Sequence, residues 1–249
     1  MTIWKGKEQL LENLSKVQEG DIYLGAAAQK ALPPAVVAYL LQKNVRIMPN
    51  LLAQQLSESK CAQAILLNEF MIPLTTPVFR RHDILRAMIH FQSGGISEVV
   101  TKNENMHCGH GVRRWRSLDD AYNQLGFENP FSPVVVQPFV KTFVDARLIF
   151  VGDELISAYV RESAGGFRKN LALGGNRQPF RPEEDLVAFC QAVMAKGNFP
   201  FAHIDVMILP NGAMYLQEIA LYGGVKGATI TTPELDLLKE RYIHTILSI

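Results

Sequence analysis

Two carboxylates flank a turn signal late in the chain. Asp205 and Glu218 lie on either side of Pro210-Asn211-Gly212, and the residues between them read as two strands of a hairpin. If Asn211 and Gly212 form a two-residue turn, Leu209 pairs with Met214, Met207 with Leu216 and Asp205 with Glu218. All six side chains then share one face, because side chains alternate along a strand. An apolar ladder would end in two acids with Cβ atoms roughly 4.5–5.5 Å apart. Such a like-charge pair is unfavourable unless a cation lies between them, and Mg²⁺ held by carboxylates plus nucleotide phosphates would serve. A longer turn, or two acids that simply reach water at the rim, fits the spacing equally well.

A second cluster surrounds Lys102. This lysine ends a predicted strand and is followed by a loop that carries Gly109 and Gly111. Glycines let backbone amides approach phosphate oxygens, and a lysine adds a mobile positive charge. The spacing is not that of a Walker motif. His107, Cys108 and His110 lie in the same loop, but no second cluster supplies the remaining ligand that zinc would need. Arg113, Arg114 and Arg116 surround Trp115, and on a strand they divide between its two faces rather than form one nucleic-acid surface.

The elements that must position these residues follow from pattern. Residues 21–25 and 45–48 read as strands around a helix opened by Pro33 and Pro34, a small β-α-β unit. Residues 51–71 are helical in composition. Strands are expected at 96–102 and 112–115, and a short helix at 119–125. From 134 onward paired strands dominate: Gly152, Asp153 and Glu154 join one hairpin, and a helix that starts with Pro182 and three acids runs to Gly197. The mixture indicates an α+β (α/β) protein of two or three lobes.

Nearly half of the 249 residues are apolar (48%), a fifth are charged (20%), and the net charge is +1. The absence of a basic excess argues against nucleic acid as the main partner. No apolar run is long enough to span a bilayer, and no signal peptide is expected at the start. Three widely spaced cysteines, Cys61, Cys108 and Cys190, imply no disulfide framework, which suits a reducing cytoplasm. A homodimer is the base-rate expectation for assembly.

In order along the chain, several segments resemble the ATP-grasp superfamily, and within it the branch of the ribosomal-protein glutamate ligases and related peptide-tailoring ligases. The resemblance spans residues 34–228. Lys102, Gly109, Gly111 and Val112 match that branch's phosphate loop without a gap. Gln137, Pro138 and Phe139 resemble its adenine hinge, and Asp145 with Arg147 its Asp-x-Arg strand. Arg161, then Phe167, Arg168 and Asn170 with Gly174 and Gly175, resemble its arginine and glycine segment. Asp205 and Glu218, followed by Gly224 and Gly227, resemble its metal-binding ending.

The resemblance implies two lobes gripping ATP plus a short N-terminal β-α-β lobe, divided at 1–58, 59–135 and 136–249. It implies Lys60, Lys102, Gly109, Gly111, Gln137, Pro138, Phe139 and Asp145 around the nucleotide. Asp205 and Glu218 would hold Mg²⁺ (or Mn²⁺), and Arg161, Arg168 and Asn170 would stabilise the transferring phosphoryl group. The implied activity joins a carboxylate to an amine on an amino acid, peptide or small amine through an acyl phosphate. Phosphorylation without amide formation, or nucleotide binding without ligation, are the alternatives. Four positions depart from the family pattern: Ala220 replaces its metal-binding asparagine, Met106 and His107 replace its Gly-Ser pair, and Pro138 stands in the hinge.

Overall fold

The computed structural model describes residues 1–28, 31–104, 106, 110–125, 131–162 and 176–247. The chain begins with β1 (Ile3–Lys5), α1 (Lys7–Glu12), β2 (Ile22–Leu24), α2 (Pro34–Gln42) and β3 (Arg46–Met48). The three strands form a parallel sheet in the order β1-β2-β3. Pro34 sits in the first turn of α2, where its missing N–H costs nothing, and Val36 and Leu40 bury the helix against Tyr23 and Ile47.

The apolar stretch at 51–71 is not one helix. It divides into α3 (Leu51–Glu58) and α4 (Lys60–Leu66) around an extended Ser59. The Ser59 hydroxyl accepts from the Ala62 N–H at 2.9 Å and donates to the Glu104 carboxylate. Glu104 also accepts from the Cys61 N–H at 2.9 Å, so two donors at the start of α4 are satisfied by side chains. An acid distant in sequence thus stabilises the break and makes Lys60 the first residue of a helix.

The middle of the chain forms β4 (Thr76–Val78), α5 (Arg81–Ser93), β5 (Val99–Asn103), β6 (Val112–Trp115), α6 (Leu118–Leu125) and β7 (Val134–Pro138). Its antiparallel sheet runs β4-β7-β5-β6, and Ile84, Ala87 and Phe91 of α5 pack with Leu118 and Ala121 of α6 over Val99, Val134 and Val136.

The last part contains β8 (Val144–Val151), β9 (Glu154–Glu162), β10 (Asn176–Pro179), α7 (Glu184–Gly197), β11 (Phe201–Ile208), β12 (Met214–Ala220) and α8 (Thr232–Leu247). The five strands are antiparallel in the order β10-β9-β8-β11-β12. α3 and α4 share the core of this sheet: Leu56, Cys61 and Ala64 pack with Leu148, Cys190 and Leu216.

α4 also covers the edge strand β12. The Gln63 amide donates to the Ile219 C=O at 2.9 Å and to the Leu56 C=O at 2.7 Å, and accepts from the Ile219 N–H at 3.1 Å. A side chain therefore does the work of a neighbouring strand. Gln63→Leu is expected to cost on the order of 3 kcal/mol, because it leaves buried backbone groups unpaired, and urea unfolding would measure it.

The β11–β12 hairpin departs from a two-residue turn in an instructive way. Its loop has three residues, Pro210, Asn211 and Gly212, and the Leu209 N–H donates to the Ala213 C=O. Gly212 takes φ +84, the left-handed conformation that closes such a loop. Ile208 accordingly pairs with Met214, Met207 with Tyr215 and Val206 with Leu216, one residue off the two-residue register. A bulge between Asp205 and Val206 then restores the offset, and Asp205 does pair with Glu218.

Candidate active site

Asp205 and Glu218 belong to a charged ladder on one face of the C-terminal sheet. Arg147 on β8 lies opposite Asp205 on β11, which lies opposite Glu218 on β12. One step along, Arg161 on β9 lies opposite Asp145 on β8. Asp145 and Arg147 are two residues apart on one strand, so they share this face. The positive and negative charges therefore alternate both along and across the strands.

The contacts are close. Arg147 grips Asp205 bidentately, with Nε–Oδ1 at 2.6 Å and Nη2–Oδ2 at 2.7 Å. Arg161 holds Asp145 at 3.0 and 2.6 Å, and its Nη2 lies 3.0 Å from Asp205 Oδ2. Asp145 also accepts from the Gln217 amide at 2.9 Å. Burial by itself would raise the Asp205 pKa. Arg147 and Arg161 outweigh that effect and hold the carboxyl well below its ordinary range.

The two acids differ in what they can still do. The Asp205 side chain is 8% exposed, and three of the roughly four acceptor positions of a carboxylate already receive arginine N–H groups. The Glu218 side chain is 40% exposed, and among the described residues its close partner is Lys60, with Nζ at 3.8 Å. Asp205 can give one oxygen direction to a cation, while Glu218 can give a whole carboxylate. That donor set suits a hard divalent ion completed by phosphate and water oxygens. Among the described residues, no group of three or more His, Cys, Asp or Glu side chains converges on a metal position.

Two lysines reach this face from the other side of a cleft. Lys102 on β5 belongs to the central sheet, yet its Nζ donates to the Gln217 C=O on β12 at 3.3 Å. Burial lowers its pKa and Lys60 lowers it further, while Glu218, Asp205 and Asp145 oppose both. Lys60 donates to the Met106 C=O at 2.8 Å and so ties the start of α4 to the loop after β5. Gly111 lies where that loop turns back. A Cβ there would stand 2.6 Å from the Met106 Cβ and 3.0 Å from the Asn103 Cβ, so no larger residue fits without movement.

The region proposed for adenine is built mostly from internal contacts. Gln137 on β7 is buried and donates to Thr75 Oγ1 at 2.9 Å, and Pro138 pairs with Val99 at the end of the strand. The Phe139 N–H donates to the Glu98 C=O at 2.9 Å, and the Arg114 guanidinium stacks 3.9 Å from the Phe139 ring centroid. Gly109, Arg168 and Asn170 lie outside the described residues, as do His107 and Cys108.

An acidic strand pair, arginines across the sheet, Lys60 at the start of α4 and Lys102 from the central sheet thus converge on one cleft. A model of the RimK-like ATP-grasp domain matches residues 57–234, which include all of them. The chain belongs to the RimK-like ATP-grasp family. Among curated proteins, none matches it.

Solved ATP-grasp structures share the fold at low identity. The D-cycloserine synthetase DcsG superposes with a TM-score of 0.64 at 18% identity, covering 84% of this chain and 77% of that one. The D-alanine–D-alanine ligase of Bacillus anthracis gives 0.65 at 15% identity, covering 97% and 85%. The ATP-grasp ligase PsnB, complexed with a phosphomimetic variant of its minimal precursor, Mg and ADP, gives 0.58 at 14%, covering 84% and 66%.

Within this ATP-grasp fold, the sequence pointed to Lys60, Lys102, Asp145, Arg161, Asp205 and Glu218, and the structure brings these six together. Sequence pattern alone gives no role to Arg147, Gln217 or Glu104, which orient Asp205, Asp145 and the start of α4. The alternation Asp145-x-Arg147, set against Arg161 on the next predicted strand, was the available signal for the first of these.

Proposed function

We propose that this ATP-grasp protein is an ADP-forming, Mg²⁺-dependent ligase that joins a carboxylate to an amine. The observation that carries the reading is Lys102, a desolvated lysine of the central sheet aimed at the Glu218 strand of the C-terminal sheet. Among the described residues this lysine makes no hydrogen-bonded ion pair, and triphosphate oxygens between the sheets would provide one.

The chain's own residues would act mainly by position and charge. Lys60 and Lys102 neutralise phosphate oxygens from the central side of the cleft. Arg161, locked in orientation by Asp145, presents its guanidinium edge beside Asp205 toward the transferring phosphoryl group. A substrate carboxylate oxygen attacks the γ-phosphorus and ADP leaves. The amine then attacks the acyl carbon, phosphate leaves, and the nitrogen loses a proton. A Mg²⁺ ion held by Glu218 and the remaining lone pair of Asp205 would supply charge neutralisation at the phosphates. Arg168, Asn170 and Gly109 keep their proposed roles from the family resemblance. Buried, free Cys61 and Cys190 suit a reducing, cytoplasmic setting, and among the described residues no helix is long and apolar enough to cross a membrane.

Ala220 and the arginine-engaged Asp205 favour one second reading, a relative that binds nucleotide and turns it over poorly. Calorimetric titration with AMP-PNP, with and without Mg²⁺, tests the first reading. Binding that tightens with Mg²⁺ is expected, and no binding under either condition would overturn both readings. Binding without ATP turnover on a pool of amino acids and peptides would select the second.

A further inference from the structure

α8 carries a lysine where its pattern calls for an apolar residue. Leu235, Lys239, Ile243 and Leu247 recur every four residues and form the buried stripe of the helix. Lys239 is 5% exposed. Its Nζ donates to the Leu221 C=O at 3.0 Å and lies 3.5 Å from His203 Nε2. It also lies 4.8 Å from the Phe201 ring centroid and 4.7 Å from that of Tyr222. Among the described residues no carboxylate comes within ion-pair distance of it, although Asp236, one turn earlier, favours its charged form. Burial outweighs that help and pushes its pKa down to about 8.

Among the described residues this buried ammonium, with rings on two sides, has no paired anion, and the space for one is present. A cavity of about 500 Å³ opens against Lys239, with Leu24, Met48, Phe201 and Tyr222 among its walls. These walls include the carboxyl ends of the parallel strands β2 and β3, the edge at which open parallel sheets bind ligands. A second cavity of about 370 Å³ shares Pro49 and Tyr222 with the first and continues to Ser57, Glu58 and Leu221. Gln54 organises its floor: the side chain accepts from the Ala27 and Ala28 N–H groups and donates to the Gly25 and Pro49 carbonyls. Glu58 stands two residues before Lys60, and Leu221 three after Glu218. The two cavities thus adjoin at Pro49 and Tyr222, and the second reaches residues close in sequence to Lys60 and Glu218.

We infer that these joined cavities bind an amino acid or dipeptide whose non-reacting carboxylate pairs with Lys239 and whose other end lies toward the Glu218 strand. The inference rests on the ligase reading for its role but not for the binding itself. The buried Lys239 ammonium matches one carboxylate charge; Lys5 lies on the same cavity, and Asp236 and Glu240 on its wall disfavour the second negative charge of a phosphate dianion. His203 packs beside the ammonium, with its Nε2 3.5 Å from Lys239 Nζ. Its buried Nδ1 has no hydrogen-bond partner among the described residues. The remaining charged or titratable groups facing Lys239 are Asp236, Glu240 and His244 of α8, Lys5 of β1 and Tyr222.

Met48 lines the cavity, so its methyl group reports on occupancy. In protein labelled with ¹³C at the methionine methyls, alanyl-alanine should shift the Met48 signal and leave that of Met88, in the central core, in place. The C-terminal amide of the same dipeptide should bind at least about ten-fold more weakly, since it lacks the charge. Raising the pH from about 7 to about 9 should weaken the acid by about ten-fold as the empty-site ammonium loses its proton, and leave the amide unchanged. Lys239→Met, whose chain keeps the contacts with both rings, should erase the difference between acid and amide and leave AMP-PNP affinity as it was. Equal binding of acid and amide to the unaltered protein, or no Met48 shift with either, overturns the inference. Failure of AMP-PNP to bind alongside a selective Met48 response would instead remove the ligase reading and leave the carboxylate site standing.

Discussion

Asp205→Ala is expected to lower the unfolding free energy by about 3–5 kcal/mol, because it strands the Arg147 guanidinium and takes one of its two carboxylates from buried Arg161. Arg147 is bidentate on Asp205, and Arg161 bridges Asp205 to Asp145, so removal of one acid leaves Arg147 without its carboxylate partner. Seen from sequence, Asp205 and Glu218 are equivalent members of a metal pair, and either alanine variant should keep the fold. The structure separates them. Glu218 is the more exposed, and its close ionic partner is a lysine at 3.8 Å, so Glu218→Gln should change stability by less than about 1 kcal/mol. Its effect should fall on chemistry, with ATP turnover reduced by about 10²–10³-fold. Urea unfolding of both variants beside turnover of the Glu218 variant checks the contrast. A stable Asp205→Ala protein, or a fully active Glu218→Gln enzyme, would refute the corresponding half.

The second large effect concerns Lys102. Lys102→Met should leave stability unchanged or raise it, and weaken AMP-PNP binding by about 100-fold. The lysine gives up much of its hydration where it stands, and burial and Lys60 both disfavour its charge. Among the described residues its hydrogen bond is a 3.3 Å contact to one carbonyl, which Met can replace with apolar packing against the same strand. The fold therefore gains little from the charge, whereas a triphosphate between the two sheets would use it fully. Thermal unfolding and calorimetry on the same preparation test both statements. A marked loss of stability with unchanged nucleotide affinity would make Lys102 a structural residue.

The carboxylate pair shows how a sequence can reach the right strand pairing by an incomplete route. The turn has three residues rather than two, which shifts the pairing by one, and the bulge next to Asp205 shifts it back. The pairing of Asp205 with Glu218 survives because the two displacements are equal and opposite. Between them the register differs, so Met207 faces Tyr215 rather than Leu216. A bulge depends on what packs against the strand, and α4 with Gln63 does so here. No turn signal encodes that contact.

Two helices were invisible to pattern for separate reasons. In α5 the buried Ile84, Ala87 and Phe91 have helical spacing, but the exposed Leu85 and Ile89 blur the polar face. In α8 the stripe that should announce the helix contains Lys239. The break at Ser59 was hidden for a third reason: its hydroxyl is a capping signal, but the carboxylate that completes the cap comes from Glu104, after β5.

The sequence by itself determined the family, the alternation of charged residues along each strand, and the identity of the two acids and two lysines. Those properties are local: period-two geometry and short motifs carry them. Tertiary structure alone decided which acid remains available to a cation, because the arginines that engage Asp205 come from β8 and β9, more than forty residues away. It also decided that Lys239 lies buried beside a cavity, since β11, the segment after β12 and the parallel sheet must all meet α8 before that cavity exists. Charge partners and cavities are properties of several chain segments at once, and no single stretch of residues contains them.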